Sequence, residues 1–198
     1  MSKTLGYIFI VLLAAGQLHA SIITGPVLNP SNGHSYFLIT ANTWTGAESE
    51  AQTSFNSHLV TINDANENQW LVDTFCSGVN DFRVFWIGLN DAASEGNFVW
   101  ASGQPVTYTN WYTGEPNNSG PNGTDEDYVS FNWHHTVPDA NAVRGTWNDE
   151  TDFGNSSFSE HGGVRGPYFA VVEVVPEPVT LASVGLLGLA MLARRARR

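Results

Sequence analysis

Oxygen-bearing side chains gather in three short runs of this 198-residue chain: Glu115-Pro116-Asn117, Glu126-Asp127 and Trp147-Asn148-Asp149. Carboxylates and side-chain amides are hard ligands, and a set of them suits Ca²⁺, which takes about six to eight oxygens at roughly 2.3–2.6 Å. No His or Cys stands within these runs, so zinc and softer metals fit poorly. The same residue types also make turns, and that plainer reading stands beside the metal one. Other chemistry is thinly represented. His134, His135 and His161 have no ligand set at zinc spacing and no partnered nucleophile, and they read as loop residues. Glu115 and Glu126 as a glycosidase pair would need a defined carboxylate separation, which a sequence does not give. Held on a cation, they would also be unavailable for proton transfer. Cys76 is the single cysteine, so no intramolecular disulfide forms. Between Val72, Phe75 and their neighbours it reads as a buried small hydrophobe.

The elements that must position these runs read as an α+β domain. Residues 35–40, after the Asn32-Gly33 turn, predict an edge-forming strand. Thr45-Gly46-Ala47-Glu48 reads as a capping box opening a helix that puts Ala47, Ala51 and Phe55 on one face. Leu59, Val60 and Ile62 predict a small strand. Asp64 with Glu67 forms a second cap-like pair ahead of Trp70, Leu71 and Phe75. Residues 85–89 predict a buried strand and residues 168–174 a terminal one. From Asn90 to about Gly145 the chain is mostly Gly, Pro, Asn, Ser and Thr, broken by aromatic pieces such as Phe98-Val99-Trp100. Irregular stretches beyond about 12–15 residues are uncommon, and the aromatics argue for an ordered insertion. Trp86, Trp100 and Trp147 read as core, whereas Tyr112, Phe131 and Trp133 are the candidates for touching a ligand.

The two ends read as addresses. Residues 1–20 carry Lys3, an apolar run over 5–15 and a small residue, Ala20, which together predict a secretory signal peptide. At the other end Pro176-Glu177-Pro178 precedes fifteen mostly apolar residues, 179–193, closed by Arg194, Arg195, Arg197 and Arg198. A free-standing membrane helix needs roughly 20 residues, so this one is short, and its arginines would stay cytoplasmic. The intervening residues fit one domain. They hold 18 of the 19 acidic residues and only Arg83, Arg144 and Arg165 of the basic ones, a net charge of −15. Nucleic acid and anionic lipid are therefore disfavoured as partners, and bound divalent cations would relieve the self-repulsion.

Over about residues 33–175 the chain resembles the C-type lectin-like fold. The resemblance is carried by His58-Leu-Val-Thr-Ile-Asn-Asp-Ala-Asn-Glu-Asn-Gln-Trp-Leu71, Trp86-Ile-Gly-Leu-Asn-Asp91, Asn110-Trp111, Glu115-Pro-Asn117, Trp147-Asn-Asp149 and the closing Val171-Val-Glu-Val174, all in order. It implies a principal calcium site in the long loop, with Glu115 and Asn117 on one side of the ion and the bond before Pro116 cis. Glu126 adds a carboxylate, and Asn148 and Asp149 close the shell. The same resemblance implies that a sugar diol takes two further positions on the ion while Glu115, Asn117, Glu126 and Asn148 hydrogen-bond its hydroxyls. The Glu-Pro-Asn order resembles lectins preferring mannose, glucose, N-acetylglucosamine or fucose. A second, auxiliary calcium site maps onto Asp91, Glu95, Asn118, Glu126 and Asp127, with Asn118 where an acidic residue is usual. The family's disulfide positions read Val172, Tyr128, Asp152 and a residue near Gln52, so neither bridge forms. Residues 132–145 and 150–166 resemble insertions beside the site.

Residues 176–198 resemble the PEP-CTERM sorting signal of Gram-negative bacteria. That implies export, processing by an exosortase-type membrane protease, and a final place at the cell surface or in extracellular matrix. The boundaries expected are 1–20 signal peptide, 21–32 a short N-terminal segment, 33–175 the lectin-like domain and 176–198 the sorting signal with a short transmembrane helix. The first expectation for function is a non-enzymatic, calcium-dependent carbohydrate-binding protein whose binding falls as pH approaches the carboxylate range near 4. The second is a structural or protein-binding module that does not read sugar. The third is an enzyme acting on exopolysaccharide.

Overall fold

Chain reversal over residues 29–34 sets the first strand pair. Asn29 Oδ1 accepts from Ser31 N at 3.0 Å, and the backbones of Asn29 and His34 close the loop at 2.9 Å. The computed structural model of the chain describes residues 22–77, 83–133, 143–154 and 167–176. The signal-peptide and sorting-signal readings therefore lie outside the described residues, as do His134, His135, His161 and most of the two insertions. Among the described residues, no helix is long and apolar enough to cross a membrane.

Strands β1 (Ile22–Leu28), β2 (Ser35–Asn42), β3 (His58–Leu59), β4 (Phe85–Asn90), β5 (Val99–Trp100), β6 (Tyr128–Phe131), β7 (Trp147–Glu150) and β8 (Tyr168–Val174) join two helices, α1 (Trp44–Phe55) and α2 (Ala65–Phe75). The sheet runs β1-β2-β8-β4-β6-β7, with β3 on β8 and β5 on β4. Only the β4–β8 pair is parallel among those described. The architecture is α+β, as expected.

Several expectations need correction. Residues 35–40 are not at an edge: β1, unforeseen in a segment with Gly25 and Pro26, pairs along the outer side of β2. The cap of α1 is Thr43, whose side chain accepts from Gly46 N at 3.0 Å. Glu48 instead accepts from Leu59 N at 2.9 Å and pairs with His58 at 2.5 Å, so tertiary contacts take the side chain that a capping box would use. The predicted cap of α2 is as read, with Asp64 Oδ1 accepting from Asn66 N and Glu67 N. The stretch from Asn90 to Gly145 is not wholly irregular, since β5 and β6 lie within it.

The alternation of β4 divides the core. Phe85, Ile87 and Leu89 enter one cluster with Leu71, Val72, Phe75 and Trp147, while Val84 and Trp86 enter another with Trp44, Ala47, Ala51 and Tyr168. Sheet and helices thus make a two-faced core, α2 on one side and α1 on the other. Gly88 is needed where β4 passes the end of β3: a Cβ there would lie 2.7 Å from Leu59 O. Ala51 and Val172, near the positions of a family disulfide, are both fully buried in one cluster, so packing replaces the bridge. Phe131 and Trp133 also sit in the core, at 2% and 9% exposure, and are not available to a ligand. Phe131 joins the cluster on the α2 side and Trp133 the one on the α1 side, a burial which the Gly- and Asn-rich surroundings did not reveal.

Candidate functional site

β7 delivers the Trp147-Asn148-Asp149 run. Its register with β6 sets Ser130 opposite Asn148, Val129 opposite Asp149 and Tyr128 opposite Glu150. Trp147 anchors the strand. Its Nε1 donates to Asn68 Oδ1 at 2.9 Å, and its ring meets Trp100, Tyr108 and Trp111 edge-on at 5.6–5.9 Å. Trp147 N donates to Asn110 O at 2.9 Å and Tyr112 N to Trp147 O at 3.0 Å, which fastens the start of the loop to β7. The approach to β7 requires Gly145, at φ +75°, where a Cβ would strike Val72 Cγ2 at 2.5 Å.

The loop then folds back over β7. Asp149 Oδ1 accepts from Asn117 N at 3.0 Å and Oδ2 from Asn118 N at 2.7 Å. Asn117 Nδ2 donates to Glu115 Oε2, and the Glu115–Pro116 bond is cis. Asn118, at φ +47°, turns the chain so that its Oδ1 accepts from Glu126 N at 2.7 Å, while Glu126 Oε2 accepts from Ser119 N at 2.9 Å. Asn tolerates this left-handed backbone better than most residues. Glu115, Asn117, Glu126 and Asp149 are thereby linked in one hydrogen-bonded network at the joint of loop and strand, whereas among the described residues the carboxylates found within 4.8 Å of one another as a group of three are Asp91, Glu95 and Asp127. Asn148, only 6% exposed, is adjacent but hydrogen-bonded inward: its Nδ2 donates to Asp149 O at 2.9 Å and to Glu150 Oε1 at 3.0 Å. A hydroxyl accepting from Asn148 must compete with these bonds.

Asp91, Glu95 and Asp127 form a second group, with one carboxylate oxygen of each within 4.8 Å of the others. Asp91 Oδ2 accepts from Gly96 N at 2.8 Å, while buried Oδ1 has no hydrogen-bond partner among the described residues. A buried orphan carboxylate oxygen costs free energy, and an oxygen-only set of three carboxylates suits a hard cation. Asn118 faces Glu126 and Asp149 through the bonds above.

Burial first, and charge crowding behind it, show in the proton affinities. Glu126, 5% exposed, is pushed up to about 7, chiefly by burial, against the Ser119 N–H bond and with Asp149 and Glu115 adding repulsion. Asp149 is raised mainly by burial, with the Asn118 and Asn117 amides opposing. Burial leads at Asp91, with Asp127 nearby. Exposed Glu95 is raised by local desolvation and then by Asp91, Asp125, Asp127 and Asp149. Burial drives Glu150 well above the ordinary range, and Glu126 adds repulsion. The sequence reading missed Asp125 and Glu150, although each directly extends a run it had singled out.

The Lectin C-type domain family model matches residues 40–158, which span the loop, β6 and β7. The chain belongs to the C-type lectin domain family. C-type lectin domains commonly bind Ca²⁺, and the family is one of lectins rather than enzymes. Among relatives, the chain is 31% identical over 150 residues to a perlucin-like protein of Mytilus galloprovincialis, covering 72% of this chain and 85% of that one. It is 41% identical over 93 residues to the alpha-N-acetylgalactosamine-specific lectin of Patiria pectinifera, covering 44% of this chain and 55% of that one. Among solved structures, C-type lectin CEL-I from Cucumaria echinata aligns at TM-score 0.51 and 26% identity, over 72% of this chain and 90% of its own. The cow carbohydrate-recognition domain of CD23 aligns at TM-score 0.53 and 25% identity, over 73% and 90%.

Proposed function

We propose that this chain is a calcium-dependent carbohydrate-binding protein of the mannose/glucose type. The observation that carries the reading is the network that joins Glu115, Asn117, Glu126 and Asp149 through the Asn117, Asn118 and Ser119 amides. These side chains with Asn148 would hold the ion. Asp91, Glu95 and Asp127 would hold a second, beside Asn118 and Glu126. Bound calcium supplies two coordination positions for neighbouring hydroxyls of a sugar. The protein's own part is to align those hydroxyls, with carboxylate oxygens of Glu115 and Glu126 accepting from them and the Asn117 amide donating.

The Glu115-Pro116-Asn117 order supports mannose-type preference, while the Patiria relative is named for N-acetylgalactosamine. A comparative column test decides between them. The protein is expected to stay on immobilised mannose in calcium, to leave with EDTA, and to pass through immobilised N-acetylgalactosamine. Retention that EDTA leaves unchanged would contradict calcium dependence.

The terminal segments support a second part of the reading. Export through the inner membrane, sorting by an exosortase-type protease and display at the bacterial surface or in its matrix follow from the apolar run at 5–15 and from Pro176-Glu177-Pro178 with its arginine tail. Mass spectrometry of the secreted protein is expected to find a new N-terminus after Ala20 and a C-terminus near Pro178. An intact chain of 198 residues outside the cell would contradict it.

A further inference from the structure

Glu150 is the residue of β7 whose presence neither the proposed ligand set nor the apolar core explains. Its carboxylate is fully buried. Successive strand residues face opposite sides, so Glu150 shares a face with Asn148 two positions before it. Its Oε1 accepts from Asn148 Nδ2 at 3.0 Å and from the Tyr168 hydroxyl at 3.3 Å. Its Oε2 has no hydrogen-bond partner among the described residues. A buried polar oxygen without a partner is destabilising, so packing alone favours an apolar residue at this position. An amide nitrogen carries two hydrogens, and Asn148 Nδ2 also donates to Asp149 O at 2.9 Å. Both contacts lie on β7 itself. An amide binds a hard cation through its oxygen, so fixing the nitrogen settles which way round the group is held.

We propose that Glu150 is a positioning residue for calcium: it clamps the Asn148 amide by its nitrogen and so orients the amide oxygen as a ligand. The inference rests on the calcium reading above. Partners in the shell behind a metal's ligands commonly contribute about 10–100-fold in affinity.

The test is calorimetric titration of calcium into the metal-free full chain, as wild type, Glu150→Gln and Glu150→Leu, with melting of each protein in EDTA. Gln keeps an acceptor oxygen for Asn148 and is expected to hold affinity within about 3-fold, whereas Leu removes the acceptor and is expected to lose at least about 10-fold. Leu relieves the buried acid but takes an acceptor from Asn148 Nδ2 and the Tyr168 hydroxyl, so metal-free melting is expected to change little while calcium affinity falls, a split that a merely structural role would not produce. Equal affinity of the Leu variant and wild type overturns the proposal, and so does equal weakening by Gln and Leu. Should the Leu variant not fold, Glu150→Asp draws the carboxylate back by one methylene. It is expected to lose about 10-fold, and wild-type affinity there overturns the proposal. A wild type that takes up no calcium removes the reading of the whole site, a result distinct from a wild type that binds while Glu150→Leu binds equally.

Discussion

Glu126 lies where burial, two neighbouring carboxylates and one backbone amide compete. Burial wins, and the group is held at about 7 instead of its ordinary 4.5. Two consequences of opposite sign follow. Calcium needs the carboxylate ionised, so affinity is expected to start falling just below neutral pH, not near 4 as residue types alone suggested. The metal-free fold runs the other way: a raised acid stabilises the fold below its unfolded value, and that contribution is lost as pH rises through the folded value. The rise at Glu126 corresponds to roughly 3 kcal/mol. In EDTA, melting is therefore expected to fall from pH 5 to pH 8, and the fall should be shallower in Glu126→Gln, with the other raised carboxyls, Asp149 and Glu150 among them, keeping the remainder. A metal-free melting temperature that climbs over that window would contradict the assignment. Glu115 is expected to act at the ion itself, with Glu115→Gln lowering calcium affinity while leaving metal-free melting within about 0.5 kcal/mol of wild type, as for an ordinary surface change. Titration calorimetry and urea unfolding check the two halves.

At the scale of elements, β7 is the rail on which the site is mounted. Trp147 is fully buried, its indole N–H is held by Asn68, and three aromatic rings surround it. Trp147→Ala is expected to destabilise the fold by about 3–5 kcal/mol, measured by urea unfolding, and to abolish calcium binding with it. A variant that unfolds at the wild-type midpoint would contradict this anchoring. The buried network beneath β2 makes a second test. The Tyr36 hydroxyl reaches Glu67 Oε1 at 2.5 Å and Glu173 Oε1 at 3.1 Å, and His34 pairs with Glu173 at 2.6 Å. Tyr36→Phe removes the donor between two buried carboxylates and is expected to cost about 1–3 kcal/mol. Much of this scale was legible in the sequence: the Asp64 cap, the apolar residues at 85–89 and the closing strand are local patterns. β1 was not, because Gly25 and Pro26 break its local signal and pairing with β2 makes it a strand. Thr43 was passed over as the cap because Thr45 and Glu48 offer the same spacing, and only the tertiary bond from Glu48 to Leu59 N decides between them.

For the whole molecule, the site joins distant parts of the chain. Residues 91–95, 115–118, 126–127 and 148–149 meet because β4, β6 and β7 are neighbours in the sheet. Their residue types were readable in advance, since Glu115-Pro116-Asn117 and Trp147-Asn148-Asp149 are contiguous. The contribution of Glu150 was not, because a carboxylate after a ligand run looks like one more surface acid until its burial is known. Crowding so many carboxylates in an acidic domain leaves the metal-free fold short of its full stability. At an affinity of about 10⁻⁴–10⁻³ M, usual for extracellular modules, 10 mM calcium would add about 1.4–2.7 kcal/mol. The most direct measurement is calorimetric titration of methyl α-mannoside into the protein, first in 10 mM calcium and then in EDTA. The expected result is saturable heat of weak binding in calcium and none in EDTA. Binding of equal strength in both, or in neither, would contradict a lectin that reads sugar through its ion.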